Sequence, residues 1–152
     1  MRNLILTLGL ILIGMRCSTT IPKEMLDRAR NSNLPIIIGK PWVSLPNSAG
    51  GVDIAIYYEN ISKKKIKYVI FYPQVFNGVD DPVNCTIRDY SVGILKDTGP
   101  IDPNQRGGGR WENTWYNYSA KYSKLTKVTV IFMDGSQQLI EGKDLDSIIL
   151  NP

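Results

Sequence analysis

The sequence contains no histidine and only two cysteines among its 152 residues. Without histidine, the chain cannot form a Ser-His-Asp triad, a Cys-His nucleophile pair or a histidine-ligated zinc site. Two cysteines are too few for the disulfide framework that stabilises many small secreted domains. Long apolar runs are also scarce, and the one near the start is too short to cross a bilayer as a helix. These absences leave few routes to catalysis, so we expect a protein that is not an enzyme.

The beginning of the chain fits a bacterial-type export signal. Arg2 precedes an apolar stretch at residues 4–13, and Arg16 and Cys17 follow. A positive start and an apolar segment of this length are typical of such signals. Cys17 stands where a lipid anchor could be attached, although Arg16 departs from the small residues that precede the cysteine of a lipoprotein. We expect residues 1–17 to direct export and Cys17 to be lipidated, with ordinary secretion or an uncleaved anchor as alternatives.

Charge and composition indicate a globular domain without a nucleic-acid partner. The chain is 43% hydrophobic and 21% charged, which argues against bulk disorder. Of the 18 basic residues, loss of Arg2 and Arg16 would leave 16 against 14 acidic ones, a net charge of +2. Nucleic-acid binding needs a concentrated basic face. The one basic cluster, Lys-Lys-Lys-Ile-Lys at residues 63–67, could approach an anionic lipid or an acidic polymer, or could simply discourage strand-edge pairing.

Three segments follow from the pattern along the chain. Residues 1–17 form the export segment, and residues 18–33 form a tether that is either a short helix beginning at Pro22 or a flexible stalk. Residues 34–150 form the folded domain. Its last residues, 144–150, could be a short strand or a stub of helix.

The domain reads as a set of short β-strands. Alternating apolar residues at 52–58, 66–72 and 128–132 predict strands with one buried face, and in the second of these Ile66, Tyr68, Ile70 and Tyr72 are expected to face inward. Asp134-Gly135 predicts a hairpin turn before a partner strand at 137–140. Weaker strands are predicted at 36–44, 84–88, 90–95 and 110–122.

Turn-rich stretches separate these strands, at residues 46–51, 77–82 and 98–109. Within the last, Thr98-Gly-Pro is expected to reverse the chain and Gly107-Gly-Gly109 to form a flexible connection. Seven or eight short strands with turn signals at regular spacing predict an all-β, immunoglobulin-like β-sandwich. A small barrel is the alternative, because spacing alone does not separate the two.

Several motifs occur together in a familiar order. They are Asn60-Ile-Ser-Lys-Lys-Lys-Ile-Lys-Tyr68, Phe76-Asn77, Asp81-Pro82-Val83, Thr98-Gly-Pro-Ile101, Trp111 through Trp115-Tyr116-Asn117, and Phe132-Met-Asp-Gly135. The set, covering roughly residues 50–140, resembles a group of uncharacterised exported bacterial β-sandwich domains similar to the F-x-L-Y-D type. The resemblance implies the fold and an exported location, and it carries no activity that could be transferred.

Two kinds of ligand site can be drawn from the residues. Trp42, Trp111, Trp115 and the eight tyrosines are enough for both a core and an exposed platform for sugars or peptides, although a role in the core is the simpler interpretation for most of them. Trp111 and Trp115 share one strand face and are the candidate ligand-binding residues. A loop rich in oxygen donors could hold calcium, or its residues could serve only as turn formers. The candidate calcium ligands are Asn77, Asp80, Asp81 and Asn84. No other cofactor is expected.

Carboxylates and one thiol complete the candidates. Asp53, Glu59, Glu112 and Asp134 could supply an acid and a base for glycoside cleavage, or could be solvent-facing and turn residues. Cys85 is expected to be buried and inert, unless Cys17 is not lipidated and pairs with it in an oxidising compartment.

The sequence therefore predicts an exported, membrane-anchored, non-catalytic β-sandwich module for binding or envelope assembly. Its partners would be the membrane, through the lipid anchor, and an envelope protein or glycan. The alternatives are a small carboxylate-dependent carbohydrate-active enzyme and a calcium-dependent carbohydrate-binding module.

Overall fold

The computed structural model describes residues 21–150. Its elements in chain order are α1 (Lys23–Asn31), β1 (Ile36–Ile38), β2 (Trp42–Val43), β3 (Gly51–Asn60), β4 (Ile66–Phe76), β5 (Leu95–Ile101), β6 (Arg106–Tyr116), β7 (Tyr122–Phe132), β8 (Gln137–Glu141) and α2 (Gly142–Ile148). The predicted export segment, residues 1–17 with Cys17, lies outside the described residues.

The strands form two antiparallel sheets, which confirms the predicted all-β sandwich. In the first sheet, β1 and β2 pair in turn with one edge of β3, and β6 pairs with the other edge. The second sheet has the order β5-β4-β7-β8. Both sheets contribute apolar side chains to one core, which includes the fully buried Trp115, Phe71 and Ile56. The immunoglobulin-like label for this sandwich stays a prediction.

The inner faces of β3 and β7 follow the predicted alternation, but β4 does not. Val69, Phe71 and Val75 are buried in β4, whereas the expected Tyr68 and Ile70 are only half-buried. The register shifts by one residue between Ile66 and Tyr68. A bulge places two consecutive residues opposite one partner, so every later side chain changes face.

Two loop predictions are wrong. Thr98-Gly-Pro lies inside β5, and Gly107-Gly-Gly109 lies inside β6 rather than in a flexible connection. At Gly107 a Cβ would stand 2.5 Å from the ring of Tyr58, so this strand position must be glycine for the ring to pack there. The predicted weak strands at 84–88 and 90–95 are turns and coil instead, except for Leu95, which begins β5.

Of the two alternatives for the tether, a short helix or a flexible stalk, the structure has the helix, and the hairpin prediction is confirmed. Helix α1 packs Ala29 into the core, and the chain leaves it through Asn33, whose φ is 54°. At the other end of the chain, Asp134-Gly135 connects β7 to β8, and Gly135 has a φ of 84°. Neither helix within residues 21–150 has the length and apolar content needed to cross a membrane.

A hydrogen-bond bridge ties the two sheets together beside these glycines. The hydroxyl of Tyr58 in β3 donates to Oδ2 of Asp97 in β5 at 3.0 Å, and the N–H of Gly108 in β6 donates to the same oxygen at 2.8 Å. Burial, and next the nearby Asp97 carboxylate, hold the pKa of Tyr58 above its usual range. The phenol therefore stays protonated and remains a donor to Asp97.

The side chain of Asn60 organises one end of the sandwich. This fully buried amide donates to the carbonyl oxygens of Lys64 (2.9 Å) and Ile101 (3.1 Å), and its Oδ1 accepts from the N–H and the hydroxyl of Ser62. Its main chain adds bonds to residues 104 and 105. One side chain thus joins the β3–β4 connection to the end of β5, and its main chain reaches the β5–β6 connection.

Replacing Asn60 should destabilise the domain strongly. We expect Asn60→Ala to lower the free energy of unfolding by about 2–4 kcal/mol, because two carbonyl oxygens lose their donors in a buried place. The measurement is urea denaturation of the full chain. The matched control is Asn31→Ala, an exposed amide at the end of α1, for which we expect a change within about 0.5 kcal/mol. Equal effects of the two substitutions would contradict this role of Asn60.

Candidate functional site

The outer surface of the first sheet presents two aromatic rings to solvent. Trp42 is 50% exposed and Tyr57 is 57% exposed. The register places Ala55 of β3 between Trp42 of β2 and Arg110 of β6. Because Ala55 is small, the guanidinium of Arg110 reaches across it and lies 5.4 Å from the centre of the Trp42 ring. We call Trp42, Tyr57 and Arg110 the aromatic face.

Tyr57 stands on this face between two glycines. It pairs with Gly108 of β6, and on its other side Gly39 donates its N–H to the carbonyl oxygen of Tyr57 at 2.8 Å. Neither of these neighbours carries a side chain, and the Tyr57 side chain is exposed. The aromatic face is therefore accessible to a ligand.

A carboxylate fixes the position of Arg110. Nε of Arg110 donates to Oδ2 of Asp53 at 2.8 Å, and the N–H of Asn113 donates to the other oxygen at 2.8 Å. The Asn113 bond, and next the Arg110 bond, hold the pKa of Asp53 below its usual range. The bond to Asp53 likewise raises the pKa of Arg110. Both groups stay charged at physiological pH, so Arg110 is a fixed hydrogen-bond donor beside Trp42.

The tryptophans predicted to bind a ligand lie elsewhere. Trp115 is fully buried, with its ring edge-on to Tyr90 at 4.7 Å, and it presents no surface to a ligand. Trp111 is half-buried and packs edge-on to Phe71 at 6.1 Å. The exposed tryptophan is Trp42, which the sequence analysis placed in a weak strand. Trp42 faces outward because of its pairing with Ala55. The alternation of apolar residues in the sequence does not reveal this pairing.

A second feature is a groove of about 950 Å³ at the end of the sandwich organised by Asn60. It lies between the end of α1 and the β3–β4, β5–β6 and β7–β8 connections. Three cationic residues line it, Arg30, Lys63 and Lys64, and no aspartate or glutamate is among the described residues that do so. We call this feature the basic groove.

The cations of the basic groove differ in their partners. Nζ of Lys64 lies 2.8 Å from Oδ2 of Asp134, and this bond is the main reason that the pKa of Asp134 is far below its usual range. Lys65, outside the groove, is similarly paired with Asp102 at 2.8 Å. Within residues 21–150, Arg30 and Lys63 have no carboxylate partner. Two of the groove's three positive charges are therefore uncompensated.

The rest of the groove lining is both polar and apolar. Four amides and two hydroxyls line it: Asn33, Asn104, Gln137, Gln138, Ser62 and Ser136. Five apolar residues also line it: Leu34, Pro35, Ile61, Pro103 and Phe132. A ligand in the groove would therefore meet apolar surface as well as amides, hydroxyls and cations.

In the predicted calcium loop, oxygens at Asn77 and Asp80 already have partners. Oδ1 of Asn77 accepts the N–H groups of Val79 and Asp81, both at 2.9 Å, and Asp80 accepts the hydroxyl of Tyr122. Asn84 offers its carbonyl oxygen to the side chain of Asn117. Among the described residues, no cluster of three acidic, histidine or cysteine side chains suits a metal ion. These contacts describe a turn held by Asn77.

Three of the four candidate catalytic carboxylates are paired with cations. Asp53 binds Arg110, Glu59 lies 3.4 Å from Nε of Arg106, and Asp134 binds Lys64. The fourth, Glu112, is exposed on β6 and has no ion pair within residues 21–150. Asp53 and Glu59 are six residues apart on β3, about 20 Å at the usual rise of a strand. Glycoside cleavage needs two carboxyl groups within about 10 Å. The lowered pKa values of Asp53 and Asp134 also do not suit a proton donor.

Cys85 is a free and fully buried cysteine. Burial acts to raise the pKa of its thiol, but N–H groups including those of Arg88 and Tyr116 outweigh this and lower the pKa. The proposed Cys17–Cys85 pair involves a residue outside the described range.

Comparisons with protein-family models, with curated proteins and with solved structures found no match to this chain.

The turn interpretation of residues 77–84 predicts no response to calcium. We expect the melting temperature of the full chain to be the same in millimolar calcium and in chelator, because the Asn77 oxygen is occupied by backbone donors. Differential scanning fluorimetry measures it, with Asp81→Asn as the comparison variant. A higher melting temperature in calcium than in chelator, abolished by Asp81→Asn, would instead establish the calcium site.

Proposed function

We propose that this protein is an exported, membrane-anchored, non-catalytic module of the bacterial cell envelope, and that it holds a glycan on its aromatic face. The observation that carries the proposal is the exposure of Trp42 and Tyr57 on one sheet surface, beside the fixed donor Arg110. Export and anchoring are supported by the signal-like residues 1–17 and by Cys17.

The chemistry of the aromatic face suits sugar rings. Aromatic side chains offer a large rigid contact area at low entropic cost, and the negative face of the ring attracts polarised C–H groups. Because Gly39 and Gly108 carry no side chains, a sugar ring can lie beside Tyr57. Arg110 and the ion pairs on either side of the rings supply groups that can bind sugar hydroxyls.

The same residues favour binding over catalysis. The carboxylates on this face are held by arginines, Asp53 by Arg110 and Glu59 by Arg106. A general acid needs a pKa near the working pH, whereas the pKa of Asp53 is lowered. We therefore propose that Asp53 positions Arg110.

Binding to envelope glycan tests this proposal. We expect the full chain to co-sediment with purified peptidoglycan sacculi, and we expect Trp42→Ala and Tyr57→Ala each to weaken retention by about tenfold, since truncating an exposed aromatic anchor costs roughly 1–2 kcal/mol. Leu139→Ala, which removes a side chain of similar exposure from the second sheet, is the control.

Three results would contradict the proposal. Retention of none of three polysaccharides (sacculi, chitin or cellulose) would argue against a glycan ligand. Equal losses in Trp42→Ala and Leu139→Ala would show that the aromatic face is not the site. Release of soluble sugar during the incubation would overturn the non-catalytic assignment.

Membrane anchoring is tested separately by the intact mass of the protein purified from host membranes. We expect a mass that begins at Cys17 and includes a diacylglyceryl group, because Cys17 follows the apolar segment at the position of a lipoprotein cysteine. A mass without lipid would show that Arg16 prevents this processing.

A further inference from the structure

We propose that the basic groove is a second binding site, which takes the carboxylate groups of an acidic oligosaccharide. This site is separate from the aromatic face and does not depend on it. Its observations are the uncompensated charges of Arg30 and Lys63, the amides and hydroxyls of the lining, and the rigid connections that shape it.

Charge complementarity sets the sign of the ligand. Arg30 and Lys63 lack carboxylate partners within residues 21–150, and the lining includes no acidic residue there. Lys64 is already paired with Asp134 on the rim at 2.8 Å. Cations held together on one concave surface repel each other and attract an anion, and the concave shape strengthens that field. The ligand must therefore carry negative charge.

The neutral lining indicates the rest of the ligand. Amides such as Asn104 and Gln137 both donate and accept hydrogen bonds, and both are exposed at the groove. Hydroxyl groups of a sugar likewise donate and accept. Apolar lining residues such as Ile61 and Phe132 lie beside these amides and can contact the C–H groups of a sugar ring. A chain that combines hydroxyls with carboxylates matches this surface best.

The groove is held in shape before any ligand binds. Asn60 fixes Ser62 and the Lys64 carbonyl on one side and the β5–β6 connection on the other. Nε2 of Gln138 donates to the carbonyl oxygen of Asn33 at 3.2 Å, which joins β8 to the end of α1. A rigid site loses less entropy on binding. The concave form also disfavours a flat membrane surface as the occupant.

The test is the affinity of the full chain for tetragalacturonate, compared with a neutral oligosaccharide of equal length, by isothermal titration calorimetry. We expect the acidic sugar to bind more tightly than the neutral one, and added salt to reduce this difference. Arg30→Gln and Lys63→Gln should each reduce affinity by about tenfold, the effect of losing one charge-assisted hydrogen bond. Arg28→Gln, in the same turn of α1 but outside the groove, and Lys143→Gln are the matched controls and should change it little.

One substitution should strengthen binding. Asp134→Asn keeps an oxygen acceptor for Ser136 but removes the charge that neutralises Lys64, so Lys64 becomes available to the ligand. We expect a several-fold gain in affinity for tetragalacturonate. Lys64→Gln in the same background should abolish that gain.

Several outcomes would overturn the proposal. These are equal affinity for the neutral sugar, equal losses in Arg28→Gln and Arg30→Gln, and no gain in Asp134→Asn. Tighter binding of poly-glutamate would identify an acidic peptide as the occupant instead, and binding only to phosphatidylglycerol vesicles would identify a membrane surface. Trp42→Ala should leave the difference in affinity between the acidic and the neutral sugar unchanged, so failure here is separable from failure of the glycan proposal for the aromatic face.

Discussion

The buried amide of Asn60 is the constraint on which one whole end of this molecule depends. The amide itself is fully buried, and its two donors and its doubly accepting oxygen are satisfied by Lys64, Ile101 and Ser62. An unsatisfied buried polar group costs free energy, so the folded state must supply all of these hydrogen-bond partners. This requirement joins the β3–β4 connection to the end of β5. The basic groove is lined by residues of these same connections.

Small residues have an equally direct effect on the first sheet. Gly107 leaves room for the Tyr58 ring, and Gly108 donates its N–H to Asp97, so the inner side of β6 is matched to the core. On the outer side, neither Gly108 nor Ala55 places a large side chain beside the exposed rings of Trp42 and Tyr57. The features that close the sandwich inside are thus the ones that leave the aromatic face accessible outside. Positively charged and aromatic groups remain accessible because nothing large stands beside them.

Particular residues show where sequence reasoning succeeded and where it failed. The Asp134-Gly135 hairpin was predictable, because local turn chemistry decides it. The helix after Pro22 was only one of two alternatives, because no side chain caps its start and its burial of Ala29 depends on the rest of the core. The faces of Tyr68 and Ile70 were not, because a bulge depends on pairing with β7, far away in the sequence. Glycines at 107–109 suggested a loop, since their strand role appears only against Tyr58.

The candidate sites likewise combine features that are visible in the sequence with features that depend on distant parts of the chain. The lysine cluster was visible in the sequence, but which charges remain uncompensated depends on Asp134 and Asp102, which are distant in the chain. The sequence could not show whether Trp115 or Trp42 is exposed to solvent, because it does not show which strand covers which. Burial of the first and exposure of the second are consequences of sheet pairing.

The central claim is that the outer face of the first sheet binds glycan without cleaving it. The most direct measurement is a nitrogen–proton NMR titration of the full chain with soluble glycan strands released from peptidoglycan, which follows the indole N–H signals of its three tryptophans. We expect the Trp42 signal to shift as glycan is added until binding is saturated. The buried Trp115 signal should stay in place, and the sugar signals should show no cleavage. An unmoved Trp42 signal, or the appearance of cleaved sugar, would contradict it.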